Sequence, residues 1–341
     1  MIAHWDDLIG NPQLKPRFSN AIGQQRLGGS LLFTGPPGIG KRSVATLLAR
    51  TLLCERSQPQ HMSPCGECPA CAQVDAETHP DVIRVRKPDD KTLIPIDLLI
   101  GAPDVRMQEG FCRDIRLSPY AGKRKIAILE DADFLNEEGA NCLLKTLEEP
   151  PNDALIILVG TSEQKQLPTI RSRCQAVRFQ PLSNEQAIQL IIEKHQIEAG
   201  NTDVQQAVEM ATGDIPVALR FLDAETREFA KTLGNTLSKP APDPISLRRL
   251  INDRVEQAGK EPRVKRAALR DIFSICIQHY RRLVRHEASH YQSRPITLAR
   301  LDRSVRAVRE LDRMANVSTL IDCFAADIAA GTTGDRGDIG S

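Results

Sequence analysis

From its amino end the chain alternates short apolar runs with stretches whose apolar residues recur at helical spacing; past its midpoint it reads as helical throughout. LLFTG (31–35), DVIRV (81–85), KIAILEDAD (125–133) and ALIILVGT (154–161) are short, mainly apolar stretches that read as strands. By contrast, VATLLARTLL repeats apolar residues at Val44, Leu47, Leu48 and Leu52, one face of a helix. Strands separated by helical patterns predict a mainly parallel sheet flanked by helices. After VRFQPLS (177–183) the strand signals stop. NEQAIQLIIEKHQI and VQQAVEMAT read as helices, SKPAPDPIS (238–246) as a proline-rich linker, and 247–258, 263–290 and 297–330 as helical. The tail GTTGDRGDIGS predicts disorder. The expected class is α/β plus all-α.

Within this pattern one loop carries recognisable chemistry. GPPGIGKRSV (35–44) follows a strand and opens a helix, the context of a phosphate-binding loop. Gly35, Pro36, Pro37, Gly38, Gly40 and Lys41 fit the loop, whose backbone N–H groups close on phosphates while its lysine reaches the terminal ones. Arg42 stands where a Ser or Thr hydroxyl would bind Mg²⁺, and Ser43 is turned about 100° away on the helix. ATP with Mg²⁺ is therefore an open expectation, and Lys41 reads either as a phosphate ligand or as a remnant that packs the loop. The strand KIAIL ends in Glu130 and Asp131, where such enzymes hold the metal and activate water. Here Glu precedes Asp, the reverse of the usual order, which puts water activation in doubt.

Cys54, Cys65, Cys68 and Cys71 follow a C-x10-C-x2-C-x2-C spacing that suits a structural Zn²⁺ site with no open position. An iron-sulfur cluster and free thiols are the alternatives. The chain has nine cysteines and its first residues show no export leader, so reduced thiols and a metal are expected rather than disulfides. Cys112, Cys142, Cys174, Cys276 and Cys323 read as small core residues. No apolar stretch approaches the roughly 18 residues of a membrane span, and the expected location is the cytoplasm. The net charge of +1 is uneven, with a basic excess over 241–330 that reads first as a solvated face and second as a nucleic-acid contact.

NCLLKTLEEPPNDALIILVGTSEQKQLPTIRSRCQAVRFQPL (141–182) resembles the most characteristic stretch of bacterial clamp-loader subunits, AAA+ ATPases that load the sliding clamp for DNA polymerase III. HWDDLIGNPQLKPRF, the phosphate loop, the four cysteines, HPDV (79–82) and the helical C-terminal third share the resemblance, which weakens after about Asp223. It implies a P-loop AAA+ parallel-sheet domain over 1–182 with a zinc-binding insert at about 54–71. A small helical lid over 183–237, a linker at 238–246, a helical collar for oligomerisation over 247–330 and a tail at 331–341 complete the implied organisation. Arg173 of SRC is implied to be an arginine finger acting on a neighbouring subunit, and Thr161 the residue that senses the γ-phosphate. The implied partners are gamma/tau-like and delta-like subunits in a hetero-oligomeric ring, with the sliding clamp and primed DNA reached through the complex. The finger is kept, while Arg42, the carboxylate order and Pro216, at the place of a lid arginine, depart from an active ATPase. That combination resembles the stator type of subunit, itself a poor or inactive ATPase. The rivals are an active gamma/tau-like loader ATPase and a zinc-dependent nucleic-acid-binding protein; the insert GECPACAQVDAE has no Lys or Arg and almost no aromatic residue to support the latter.

Overall fold

The four apolar runs form β1 (Gly29–Thr34), β2 (Val82–Val85), β3 (Lys125–Leu129) and β4 (Ala154–Val159) in a computed structural model of the chain, and the half-polar Gln175–Arg178 adds β5. The structure describes residues 4–120, 124–151, 153–197, 202–211, 214–289, 295–312 and 315–331. The tail from 332 onward lies outside them. Two units divide the chain, Met1–Leu190 and Ile191–Ser341.

In the first unit the five strands make one sheet in the order β2-β3-β4-β1-β5, with every neighbouring pair parallel. This is the mainly parallel sheet predicted from the apolar pattern. Every residue of β3 and β4 is buried, as strands covered on both faces require. Leu32, Leu129, Ile156 and Leu158 share one core with Leu143 and Leu147 of helix Glu137–Glu148. Successive side chains of β1 alternate faces, and Phe33 enters an aromatic row with Phe179 at 5.3 Å and Phe18 at 6.1 Å. Trp5 continues the row, 5.7 Å from Phe18, and donates its ring N–H to Thr51 at 2.9 Å.

The HPDV stretch is part of the scaffold. Asp81, fully buried, accepts the Tyr120 N–H at 2.6 Å and lies 3.6 Å from buried Lys125 at the start of β3. His79 Nδ1 accepts the Asp81 N–H at 3.0 Å, and burial lowers the His79 pKa against the opposing pull of Asp81 and Glu55.

The second unit is helical: Thr202–Ala211, Ile215–Arg220, Ala224–Leu237, Pro244–Ala258, Pro262–Ser289, Pro295–Asp312 and Val317–Ala330. Leu247, Ile251 and Val255 recur along one buried face, and Phe273 meets Phe324 at 4.8 Å. Buried Arg303 pairs with Asp327 at 2.6 Å and Glu310 at 3.2 Å and lies over the Phe324 ring. Such burial of a guanidinium requires paired carboxylates.

Three expectations need correction. The boundary set at 182/183 falls instead inside helix Asn184–His195, after Leu190. The linker set at 238–246 ends sooner: Pro244 is the first residue of its helix, and Asp243 caps it by accepting the Ser246 N–H at 2.9 Å. Cys323 is exposed on its helix, unlike buried Cys112 and Cys276, so it is no core residue.

Candidate functional site: a phosphate loop and a four-cysteine insert

Sheet order decides what meets at the carboxyl ends of the strands. Because β1 lies between β4 and β5 and β4 lies beside β3, the loop after β1, the carboxylates after β3 and Thr161 after β4 come together. This is the edge where ligands bind in open α/β sheets. The Gly35 N–H donates to the Thr161 carbonyl at 3.1 Å and the Gly160 N–H to the Phe33 carbonyl at 2.9 Å, joining the two loops.

Gly35 has φ of 146°, and a Cβ there would lie 2.6 Å from the Phe179 carbonyl oxygen, so no other residue fits. Gly40, with φ of 93°, turns the chain into helix Lys41–Leu53. Pro36 and Pro37 carry no N–H, which leaves the amides from Gly38 onward as donors.

Lys41 is buried and turned back on the loop: its Nζ donates to the carbonyls of Gly35 at 2.6 Å and Pro36 at 2.5 Å. Burial is the main reason its pKa falls to about 8, with Asp133 opposing the fall and Arg42 adding to it. This geometry is that of a lysine packing its own loop. Arg42 reaches across to both carboxylates, Nε to Glu130 at 3.1 Å and Nη2 to Asp131 at 2.5 Å. Glu130 also meets Arg84 Nη1 at 3.5 Å.

Thr161 is engaged as well. Its N–H donates to the Asp133 carboxylate at 2.9 Å and 3.0 Å and its hydroxyl to Asp133 Oδ2 at 2.5 Å, while Gln166 Nε2 donates to Asp133 Oδ1 at 2.5 Å. Asp133 is the site residue that the sequence reading missed. Its signal was the third carboxylate of EDAD.

Arg173 follows the short helix Pro168–Arg171. Its Nη1 donates to the Thr169 carbonyl at 3.1 Å and the Ser172 hydroxyl at 3.2 Å, and its Nε lies 3.5 Å from Glu148 at the end of helix Glu137–Glu148. Its contacts are thus with its own turn and with Glu148.

The four cysteines converge after the loop's helix. Their sulfurs all lie within 4.8 Å of one another, with Cys54 to Cys65 at 3.7 Å and Cys65 to Cys71 at 4.0 Å. A tetrahedral ion about 2.3 Å from each sulfur sets them about 3.8 Å apart, so the set fits one metal ion such as zinc. Backbone N–H groups supply the surroundings such a centre needs: Cys65 N–H to Cys54 Sγ at 3.4 Å, Cys68 N–H to Cys65 Sγ at 3.3 Å, and Cys71 N–H to Cys68 Sγ at 3.5 Å. Cys68 caps helix Pro69–Asp75, and Asp75 at its far end pairs with Arg50 of helix Lys41–Leu53 at 2.8 Å. The insert is thereby tied to the helix that begins at the phosphate loop.

Among the described residues no helix is long and apolar enough to cross a membrane.

Residues 10–183 match the family described as DNA polymerase III, delta subunit. The chain is 37% identical over 163 residues to the DNA polymerase III subunit delta′ of Pseudomonas aeruginosa, covering 48% of this chain and 46% of that protein. It is 28% identical over 248 residues to subunit delta′ of Escherichia coli, covering 71% of this chain and 70% of that one. With subunit tau of Bacillus subtilis it shares 29% identity over 223 residues, 64% of this chain and 37% of tau. The match thus spans less than half the length of the Pseudomonas and Bacillus relatives.

Proposed function

Since the chain belongs to the family described as DNA polymerase III, delta subunit, we propose that it works as a delta-prime-like stator subunit of a clamp loader. In this reading it sits in a hetero-oligomeric ring with gamma/tau-like and delta-like subunits, in the bacterial cytoplasm, and helps place the sliding clamp on primed DNA. It lends Arg173 to a neighbour's nucleotide and hydrolyses little or none itself.

The observation that carries this reading is Arg42, paired with Glu130 and Asp131. An ATPase of this type needs those carboxylates for metal and water. Here a guanidinium holds them, Lys41 packs the loop, and Asp133 holds the Thr161 hydroxyl. These features argue against the gamma/tau-like ATPase, despite the similarity to tau. The insert reads as a structural Zn²⁺ site of four thiolates, and its lack of basic residues argues against a stand-alone nucleic-acid-binding module.

A guanidinium suits phosphate oxygens through its fixed charge and planar donors. To act in trans, Arg173 gives up its contacts with Thr169, Ser172 and Glu148, all partly exposed and individually weak. Fingers supplied in trans are worth roughly 10³ to 10⁵ in rate in GTPases, and removing one from a ring slows one interface. The test reconstitutes the loader with wild-type or Arg173→Ala subunit and measures clamp- and DNA-stimulated ATP hydrolysis and clamp loading. The expected result is an intact complex with both rates lowered. Unchanged rates in an intact complex refute the finger, and failure of the wild-type chain to join gamma/tau-like and delta-like subunits refutes the loader reading itself.

A further inference from the structure

Three facts about Arg42 belong together. It occupies the loop position whose hydroxyl would otherwise bind a metal. It grips both carboxylates at once, Glu130 at 3.1 Å and Asp131 at 2.5 Å. And the Glu130 side chain is only 7% exposed, so its charge requires a fixed partner rather than water.

The surroundings fit that task. Asp131 has left-handed backbone, φ 57° and ψ 36°, uncommon for a residue with a side chain. Arg84 approaches Glu130 from another side at 3.5 Å and is itself steadied by a hydrogen bond to the Thr46 hydroxyl at 3.0 Å on the loop's own helix. Glu77, just past the cysteine insert, lies 3.9 Å from Arg84 and 3.3 Å from Arg86. The carboxylates that elsewhere face a divalent ion thus sit in a lattice of arginines.

We infer that Arg42 is a built-in cation, standing in for a divalent metal at Glu130 and Asp131 and thereby excluding metal from the loop. Magnesium needs oxygen ligands in near-ideal octahedral geometry, so it binds here only by displacing the guanidinium from both carboxylates. The exclusion is a property of this chain alone and holds whether or not the protein works in a ring.

The test uses the full zinc-replete chain and Mn²⁺, followed by electron paramagnetic resonance. Arg42→Ser frees both carboxylates and supplies a hydroxyl. It should bind Mn²⁺ at least about tenfold more tightly than wild type, a difference of about 1.4 kcal/mol. Adding Glu130→Gln and Asp131→Asn should abolish the gain. Arg42→Lys, which keeps the charge, should still exclude the ion. Equal Mn²⁺ affinity in wild type and Arg42→Ser overturns the inference, as does a gain that survives loss of both carboxylates. If Arg42→Ser fails to fold, the wild type decides alone. A saturable Mn²⁺ site that Glu130→Gln removes overturns the inference, and none up to millimolar Mn²⁺ upholds it.

Discussion

Replacing Asp133 with Ala removes the acceptor of three donors at once: the Thr161 N–H, the Thr161 hydroxyl and the Gln166 side-chain amide. Hydrogen bonds to a charged acceptor are worth about 1.5–3 kcal/mol each, and leaving a buried donor unpaired adds to the loss. The site is part-buried and water replaces some of the bonding, so a loss of about 3 kcal/mol is expected rather than the sum. Asp133→Asn keeps the shape but turns one acceptor into a donor facing its neighbours, and should lose about 1–2 kcal/mol. The assay is urea unfolding followed by the fluorescence of Trp5, the chain's single tryptophan, which lies buried in the sheet unit. A double-mutant cycle with Thr161→Val isolates the shared hydroxyl bond, with an expected coupling of about 1 kcal/mol. A loss below about 0.5 kcal/mol for Asp133→Ala, or strict additivity in the cycle, refutes the claim that Asp133 fixes Thr161.

Two further outcomes are expected. Protein purified without chelators should contain one zinc per chain by elemental analysis; stripping it should speed hydrogen exchange in Pro69–Asp75 while β3 and β4 stay protected, since thiolate sites of this kind supply about 10–16 kcal/mol of apparent binding energy in small peptides. Lys41, lowered from 10.5 to about 8 in the folded chain, binds fewer protons there than when unfolded, so its contribution to stability should rise from about pH 8 to 10.5. Lys41→Met should remove that rise in pH-dependent melting curves, and an unchanged slope counts against it.

Much of the site was legible because its signals are local. The cysteine spacing is set by two C-x2-C steps, and those sulfurs do converge. The phosphate loop was legible from glycines whose positive φ the turn demands. Strands β3 and β4 were legible because continuous apolar runs of four and six residues fit burial on both faces. Asp133 was not legible: its partners Thr161 and Gln166 lie 28 and 33 residues away.

The sequence by itself determined which residue types stand at each place: an arginine for a hydroxyl, a Glu-Asp order, four thiols, and a helical C-terminal part. Only the tertiary structure decided what those residues do to one another. Arg42 and Asp131 are 89 positions apart and meet because β1 and β3 flank β4 in one parallel sheet. Lys41 turns inward because the loop offers it two carbonyls within 2.6 Å. The unit boundary falls within helix Asn184–His195, after Leu190, where the sequence shows no break in helical pattern. Local pattern fixes elements through backbone sterics and periodicity, whereas pairing between distant charges depends on strand order, which non-local burial selects.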